Sequence, residues 1–186
     1  MATSKVDDNT LLTRLTEVFR LHGYEGASLA KISDATGLKR ASLYHRFPGG
    51  KAQMAQAVLD RASNWFGSHI LAPLNEPGEP AVRVREMARR LSEFYSHGDS
   101  SCLLDSLSIG NETHEVAMHV REGLQAWIGA FAKISQEAGL PPAEAQRRAE
   151  EALVSVQGGL VLARALRDNT AFQRALADLP ARLTTA

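Results

Sequence analysis

Between residues 28 and 51 the chain has room for two short helices and little else. Ser28 stands where a helix cap belongs, Gly37 closes the segment that follows it, and Pro48-Gly49-Gly50 stops the next. The first of these helices turns Leu29, Ile32, Ser33 and Thr36 inward, and a turn through Leu38 and Lys39 leads to a further helix near residues 40–47. Leu43 and Phe47, four apart, share one face of that helix and point inward with Leu38. Ala41, Ser42 and His45 face the other way, Tyr44 lies beside them, and Arg40 stands at the amino-terminal end. Two short helices joined by a glycine turn, the second polar and basic on its outer face, have the helix-turn-helix geometry that fits a helix into a DNA major groove.

The rest of the chain is also helical in pattern. No segment alternates apolar and polar residues for long enough to form a strand, which predicts an all-α fold. A first helix is expected from about Asn9 to His22, capped by Asp8 or Asn9 and stopped by Gly23, with Leu11, Leu12, Leu15, Val18 and Phe19 inward. After the Pro48-Gly49-Gly50 break, a longer helix runs from Lys51 to about Ile70 with Met54, Val58, Trp65 and Phe66 apolar. A loop containing Pro73, Pro77, Gly78 and Pro80 follows. Further helices are expected near residues 81–97, 102–110 and 113–138, and a final pair from about Ala143 to Arg167 and Thr170 to Leu179. The domains are read as a three-helix head over residues 1–51 and a larger helical regulatory and dimerisation domain over residues 52–186.

Net charge does not by itself point to nucleic acid, because 21 basic residues balance 21 acidic ones. The distribution is uneven. Residues 1–51 hold eight Lys/Arg against five Asp/Glu, and from Ser28 to Lys51 the only acidic residue, Asp34, faces Lys31, Lys39, Arg40, Arg46 and Lys51. No apolar run approaches the roughly 20 residues that cross a bilayer, and the acidic, weakly apolar start does not resemble a secretory signal, so a cytoplasmic protein is expected.

The candidate DNA contacts are Ser28, Lys39, Arg40, Ala41, Ser42, Tyr44, His45 and Lys51. An arginine suits the paired acceptors of guanine, hydroxyls suit phosphates or base edges, and Ala41 lets the helix approach closely. Ser28 caps a helix whose exposed amides can meet a phosphate, and Lys51 can add a second phosphate contact. The plainer alternative makes Tyr44 a half-buried ring and His45 a solvated one.

The stretch ASLAKISDATGLKRASLYHRFPGGK resembles the heads of TetR-type repressors, with Ser28, Ile32, Gly37, Leu38, Leu43, Tyr44, Phe47 and Lys51 on the family pattern. The extra residue in Phe47-Pro48-Gly49-Gly50-Lys51, with Gln157-Gly158-Gly159 and Leu162-Ala163-Arg164-Ala165, resembles the LmrA/YxaF-like branch. Ala41 stands where the family often has glycine, Lys39 where it often has a capping serine, and Ser33 and Thr36 replace alanines in the seam between helices. The resemblance implies a homodimeric repressor that binds a palindromic operator on double-stranded DNA and leaves it when a small apolar or amphipathic ligand enters the body.

The body's own residues give candidates for both roles. Ala149, Leu153, Val156, Leu160 and Ala163 recur at spacings of three and four around Gly158-Gly159, and Phe172, Leu176 and Leu179 share a face of the last helix. Mid-helix glycines cost about 1 kcal/mol each relative to alanine, so a close helix approach is expected there. Leu153, Val156, Gly159, Leu160, Ala163, Phe172 and Leu176 are therefore read as a dimer interface in a four-helix bundle, with an intrachain core as the alternative. Met87, Leu91, Phe94, Met118, Trp127 and Phe131, with the polar Gln157, are candidates for a ligand pocket, although such a stripe also suits plain core. Cys102, ahead of Leu103 and Leu104, reads as a small buried hydrophobe rather than a redox sensor. His114 and His119, five apart, lack metal-ligand spacing, neither has a nearby carboxylate in an arrangement that makes a site, and no cofactor or metal is implied. With no acid-base or nucleophile motif, an enzyme is not expected; the competing readings are an architectural DNA-binding protein without an inducer and, further off, a helical enzyme.

Overall fold

The structure is a computed structural model that describes residues 6–108 and 114–185. Those residues form helices and connecting turns, with no strand among them. They divide into two compact units, one from Met1–Ser63 with Leu103–Glu122 and the other from Asn64–Cys102 with Gly123–Ala186.

The first unit begins with α1 (Asp8–Gly26), whose cap is Asp7 rather than the expected Asp8 or Asn9. Asp7 is the residue in extended conformation at that end, and its carboxylate accepts from the Thr10 amide at 2.9 Å and the Thr10 hydroxyl at 2.7 Å. Those bonds hold the Asp7 carboxyl below the usual carboxylate range. The expected stop at Gly23 is a break, with φ at 65°, after which a last helical turn carries Tyr24 into the core. A side chain at Gly23 would meet the backbone oxygen of Ser106 at 3.0 Å, so α1 lies close to α6 (Leu103–Ser108) there. Next come α2 (Leu29–Thr36), α3 (Arg40–Arg46) and the first part of α4 (Gly50–His69). Leu11, Leu15, Phe19, Ile32, Leu43, Met54, Val58 and Leu107 are the buried centre. Burying side chains of this size contributes about 1.5–3 kcal/mol each.

The second unit contains α5 (Pro80–Phe94), α8 (Pro142–Leu166), α9 (Thr170–Thr184), the later parts of α4 and α7 (His114–Glu137), and short 3-10 turns at Ala72–Asn75 and Ser96–Gly98. α5 ends at Phe94, earlier than the expected 97, because Ser96 and His97 take left-handed backbone angles. α9 continues past the expected end at Leu179 and carries Pro180 within it. Leu183, fully buried one turn on, gives that extension its apolar anchor. Residues 109–113, where one expected helix ends and the next begins, lie outside the described residues.

Candidate DNA-reading surface

The angle between α2 and α3 is fixed by a few short contacts. Ser28 caps α2, its hydroxyl accepting from the Lys31 amide at 3.3 Å. Gly37 ends α2 with φ at 69°, a left-handed turn that a side chain would strain, and its amide donates to the Ser33 carbonyl at 2.9 Å. Thr36 is fully buried; its hydroxyl donates to the Ile32 carbonyl at 2.6 Å and accepts from the Leu38 amide at 3.4 Å. Arg14 reaches across from α1 to the Thr36 carbonyl at 2.9 Å. Thr36 thus fits the seam and also pins the turn, a role that its small size alone does not reveal.

On α3, Leu43 is fully buried and Phe47 half-buried, while Lys39, Arg40, Ala41, Ser42, Tyr44 and His45 are exposed. Tyr44 is 46% exposed, and its ring edge lies 3.4 Å from where a side chain at Gly50 would begin. Gly50 takes φ of 66°, so the Pro48-Gly49-Gly50 turn both accommodates that ring and starts α4. Gln53, which the sequence did not single out, accepts from the Gly49 amide at 2.8 Å and closes the start of α4.

The basic stretch is unequal in its commitments. Lys39 and Arg40 make no side-chain hydrogen bond or ion pair among the described residues. Arg46 pairs with Asp8 at 3.2 Å and donates to the Val6 carbonyl at 2.7 Å, so its charge is used inside the unit. Lys31 donates to the Gly26 carbonyl at 3.1 Å. Lys51 donates to the Tyr24 carbonyl at 2.9 Å and stands 4.3 Å from the centre of the Tyr24 ring. Its ammonium ties the end of α1 to α4 and keeps two further donors. Ser28 is exposed at the amino end of α2.

In the second unit the expected dimer residues lie elsewhere than at a surface. Leu153, Val156, Gly159, Leu160, Ala163, Phe172 and Leu176 are all buried within one chain, in the seam between α8 and α9. A side chain at Gly159 would come within 2.9 Å of Phe172 Cα, so this glycine permits the crossing of α8 and α9 of the same chain. Their burial within one chain fits the intrachain-core alternative. The outward face of α8 carries Val154 at 71% exposure, Val161 at 47%, Leu162 at 46% and Leu166 at 68%, with nothing near Gly158.

Among the ligand candidates, Met87, Leu91, Trp127 and Phe131 are buried and Phe94 is half-buried in the second unit. Phe66 joins them, stacked on Trp127 at 4.3 Å and edge-on to Phe94 at 5.5 Å. Met118 belongs to the first unit and is exposed. Gln157 donates to the buried Cys102 sulfur at 3.4 Å. A groove of about 850 Å³ between α5 and α9 is lined by Arg85, Ala88, Ser92, Gln173, Leu176 and Pro180 among others, and by none of the ligand candidates. His119 lies 3.1 Å from Asp60, a pairing that spacing in the sequence does not show, because α7 and α4 bring together residues far apart in the chain. The side chain of His114 lies outside the described residues. No group of three or more His, Cys, Asp or Glu suited to a metal occurs among the described residues, and no helix among them is long and apolar enough to cross a membrane.

A helix-turn-helix with a polar, cationic outer helix defines a DNA-binding regulator, and the comparisons agree. Residues 11–58 match the bacterial regulatory proteins of the tetR family, and residues 80–178 match the C-terminal domain of LmrA/YxaF-like transcriptional regulators. The chain belongs to the TetR family, in its LmrA/YxaF-like branch, and is a DNA-binding transcriptional regulator rather than an enzyme. It is 24% identical to the HTH-type transcriptional regulator LmrA of Bacillus subtilis over 86% of this chain and 87% of that protein. To YxaF of the same organism it is 22% identical, over 86% of each. The fold is shared with a TetR transcriptional regulator from Legionella pneumophila, at a TM-score of 0.85 and 16% identity over 97% of this chain and 100% of the other. A structure of a CifR cysteine mutant with 26-bp operator DNA has a TM-score of 0.73 and 24% identity, over 94% of this chain and 98% of that one.

Proposed function

We propose that the chain is a homodimeric repressor of the cytoplasm, released from a palindromic operator by a small apolar or amphipathic ligand. The observation that carries this reading is the outer face of α3, where Lys39, Arg40, Ala41, Ser42, Tyr44 and His45 are exposed over a buried Leu43. Arg40 reads a base edge, Ser42 and Tyr44 meet phosphate or base edges, and Ser28 and Lys51 position the backbone. CifR, which shares the fold, was solved with operator DNA, which supports a DNA partner for this chain.

Two copies meet through the outward face of α8, where Val154, Val161, Leu162 and Leu166 form an exposed apolar strip and Gly158 leaves its backbone bare. A strip of that kind marks an interaction surface, and pairing two such helices across a twofold axis gives the symmetry a palindrome requires. The ligand is read by the aromatic and methionine-lined interior of the second unit, around Met87, Leu91, Phe94, Trp127 and Phe131, with Gln157 as a polar neighbour. Met118 and the seam residues of α8 and α9 are left out of these roles. The DNA-binding head is assigned to residues 1–51 and the regulatory, dimerising body to residues 52–186, although residues 52–63 and 103–122 pack with the head's unit.

The test is to select bound duplexes from a random pool and then screen small molecules for release. A palindromic selection released by an apolar compound is the expected result. Selection of a single unrepeated site, or no release by any compound that binds the protein, overturns the dimeric, ligand-released reading.

A further inference from the structure

The helix that carries the exposed cationic face begins without a cap of its own. Its N-cap residue, Lys39, makes no side-chain bond to the first turn of α3, and a lysine cannot make one, because its ammonium only donates. α1 and α2 start differently: Asp7 and Ser28 each accept from an amide of the first turn. In α3 no side chain supplies that acceptor at the helix start.

The entry to α3 is held instead from the turn before it. The Leu38 amide donates to the Thr36 hydroxyl at 3.4 Å, and the Thr36 carbonyl, at the end of α2, accepts from Arg14 Nη1 at 2.9 Å. Arg14 comes from α1 and is half-buried; the same nitrogen lies 3.8 Å from where a side chain at Gly37 would begin. It makes no ion pair among the described residues, so the Thr36 carbonyl is the partner that holds it. A guanidinium suits this place because the last carbonyls of a helix lack partners and carry the negative end of its dipole. All of these groups belong to the first unit.

We propose that Arg14 is a positioning residue for DNA reading: it fixes the turn between α2 and α3 from α1 and so sets the start of α3, replacing the cap that Lys39 cannot form. The inference rests on the reading of α3 as the helix that meets DNA. Arg61 supplies an internal control. It donates to the Asn9 carbonyl at 3.2 Å and the Thr13 hydroxyl at 3.1 Å, bonds of the same kind in the same unit, but near the start of α1 and not at the turn.

The experiment uses the full-length protein well below its melting temperature. It measures affinity for a selected duplex and for single-base variants of it, the dependence on salt, and the melting temperature itself. Arg14→Ala should weaken binding about 3- to 10-fold, flatten the preference among the base variants and leave the salt slope unchanged, whereas Arg61→Ala should change affinity less than about twofold. Lys39→Ser gives α3 an acceptor for its own first-turn amides, so Arg14→Ala added to that variant should cost less than about a further twofold. Should Arg14→Ala not fold, Arg14→Lys serves in both backgrounds, because one ammonium keeps a donor but not the guanidinium's geometry; a smaller loss of the same kind is expected. An equal effect of the Arg14 substitution with and without Lys39→Ser overturns the proposal. Equal effects of Arg14→Ala and Arg61→Ala overturn it too, as does an earlier melt with affinity unchanged, which is what a purely structural bond would give. A salt slope reduced by about one also overturns it, since Arg14 would then be on a phosphate itself. If Arg40→Ala keeps the wild-type base preference, the reading of α3 fails and this role with it; if Arg40→Ala loses that preference and Arg14→Ala does not, this role fails alone.

Discussion

The outer face of α3 and the seam of α8 with α9 present opposite relations between pattern and use. On α3, polar and cationic side chains are left exposed over a single buried leucine, and Lys39 and Arg40 have no side-chain partner among the described residues. In the seam, an apolar stripe at helical spacing is consumed by the chain's own next helix, down to the glycine that lets Phe172 approach. A free cationic face declares a partner because burying it unpaired is costly, whereas an apolar stripe fits the same chain or a second copy equally well. The outward strip of α8 restores the distinction, since no described residue covers Val154 or Leu166.

The sharpest way to break this contrast is at Leu160, which is 1% exposed. Leu160→Ala should cost about 2–5 kcal/mol of folding stability, read from denaturant midpoints, and leave the oligomeric state of the folded fraction unchanged. Clean conversion to stable monomers would return Leu160 to an interface. Next in size, Val161→Asp on the outward face should leave the melting curve of the isolated chain nearly unaltered while raising the dimer dissociation constant at least about tenfold, roughly 1.4 kcal/mol. An unaltered sedimentation profile would move the interface off α8.

Acid titration gives the smallest and most diffuse effect. Glu86, bonded to Arg89 and Arg90, and Glu144, bonded to Arg147 and Arg148, are held at about 2 in the folded chain against an ordinary value of 4.5. Because the folded values are depressed, their contribution is complete above about 4.5 and is lost as pH falls toward about 2. Melting temperature should therefore decline over that window, and less steeply in the Glu86→Gln, Glu144→Gln double variant. Parallel curves would remove these carboxyls from acid sensitivity; their exposure to solvent keeps the difference small.

Much of the head was legible because local chemistry decided it. Ser28 as cap, Gly37 as left-handed stop, the inward Leu43 and the outward Tyr44 follow from spacing and from what each residue's backbone tolerates. Other features needed the folded chain. Arg46 counted toward the basic patch until Asp8, 38 residues away, took its charge, and Lys51 looked free until the Tyr24 carbonyl lay beneath it. The two faces of α8 differ by which one α9 covers, and no periodicity encodes that choice. His119 and Asp60 likewise meet only through packing of distant helices.

Arg40 is the residue on which sequence reading by α3 most directly depends. Measured at fixed salt against a selected operator and against single-base variants of it, Arg40→Ala should lose about 1–3 kcal/mol of discrimination at one position in each half-site, with folding stability unchanged. A variant that keeps the wild-type base preference at every position would show that the outer face of α3 is not where sequence is read.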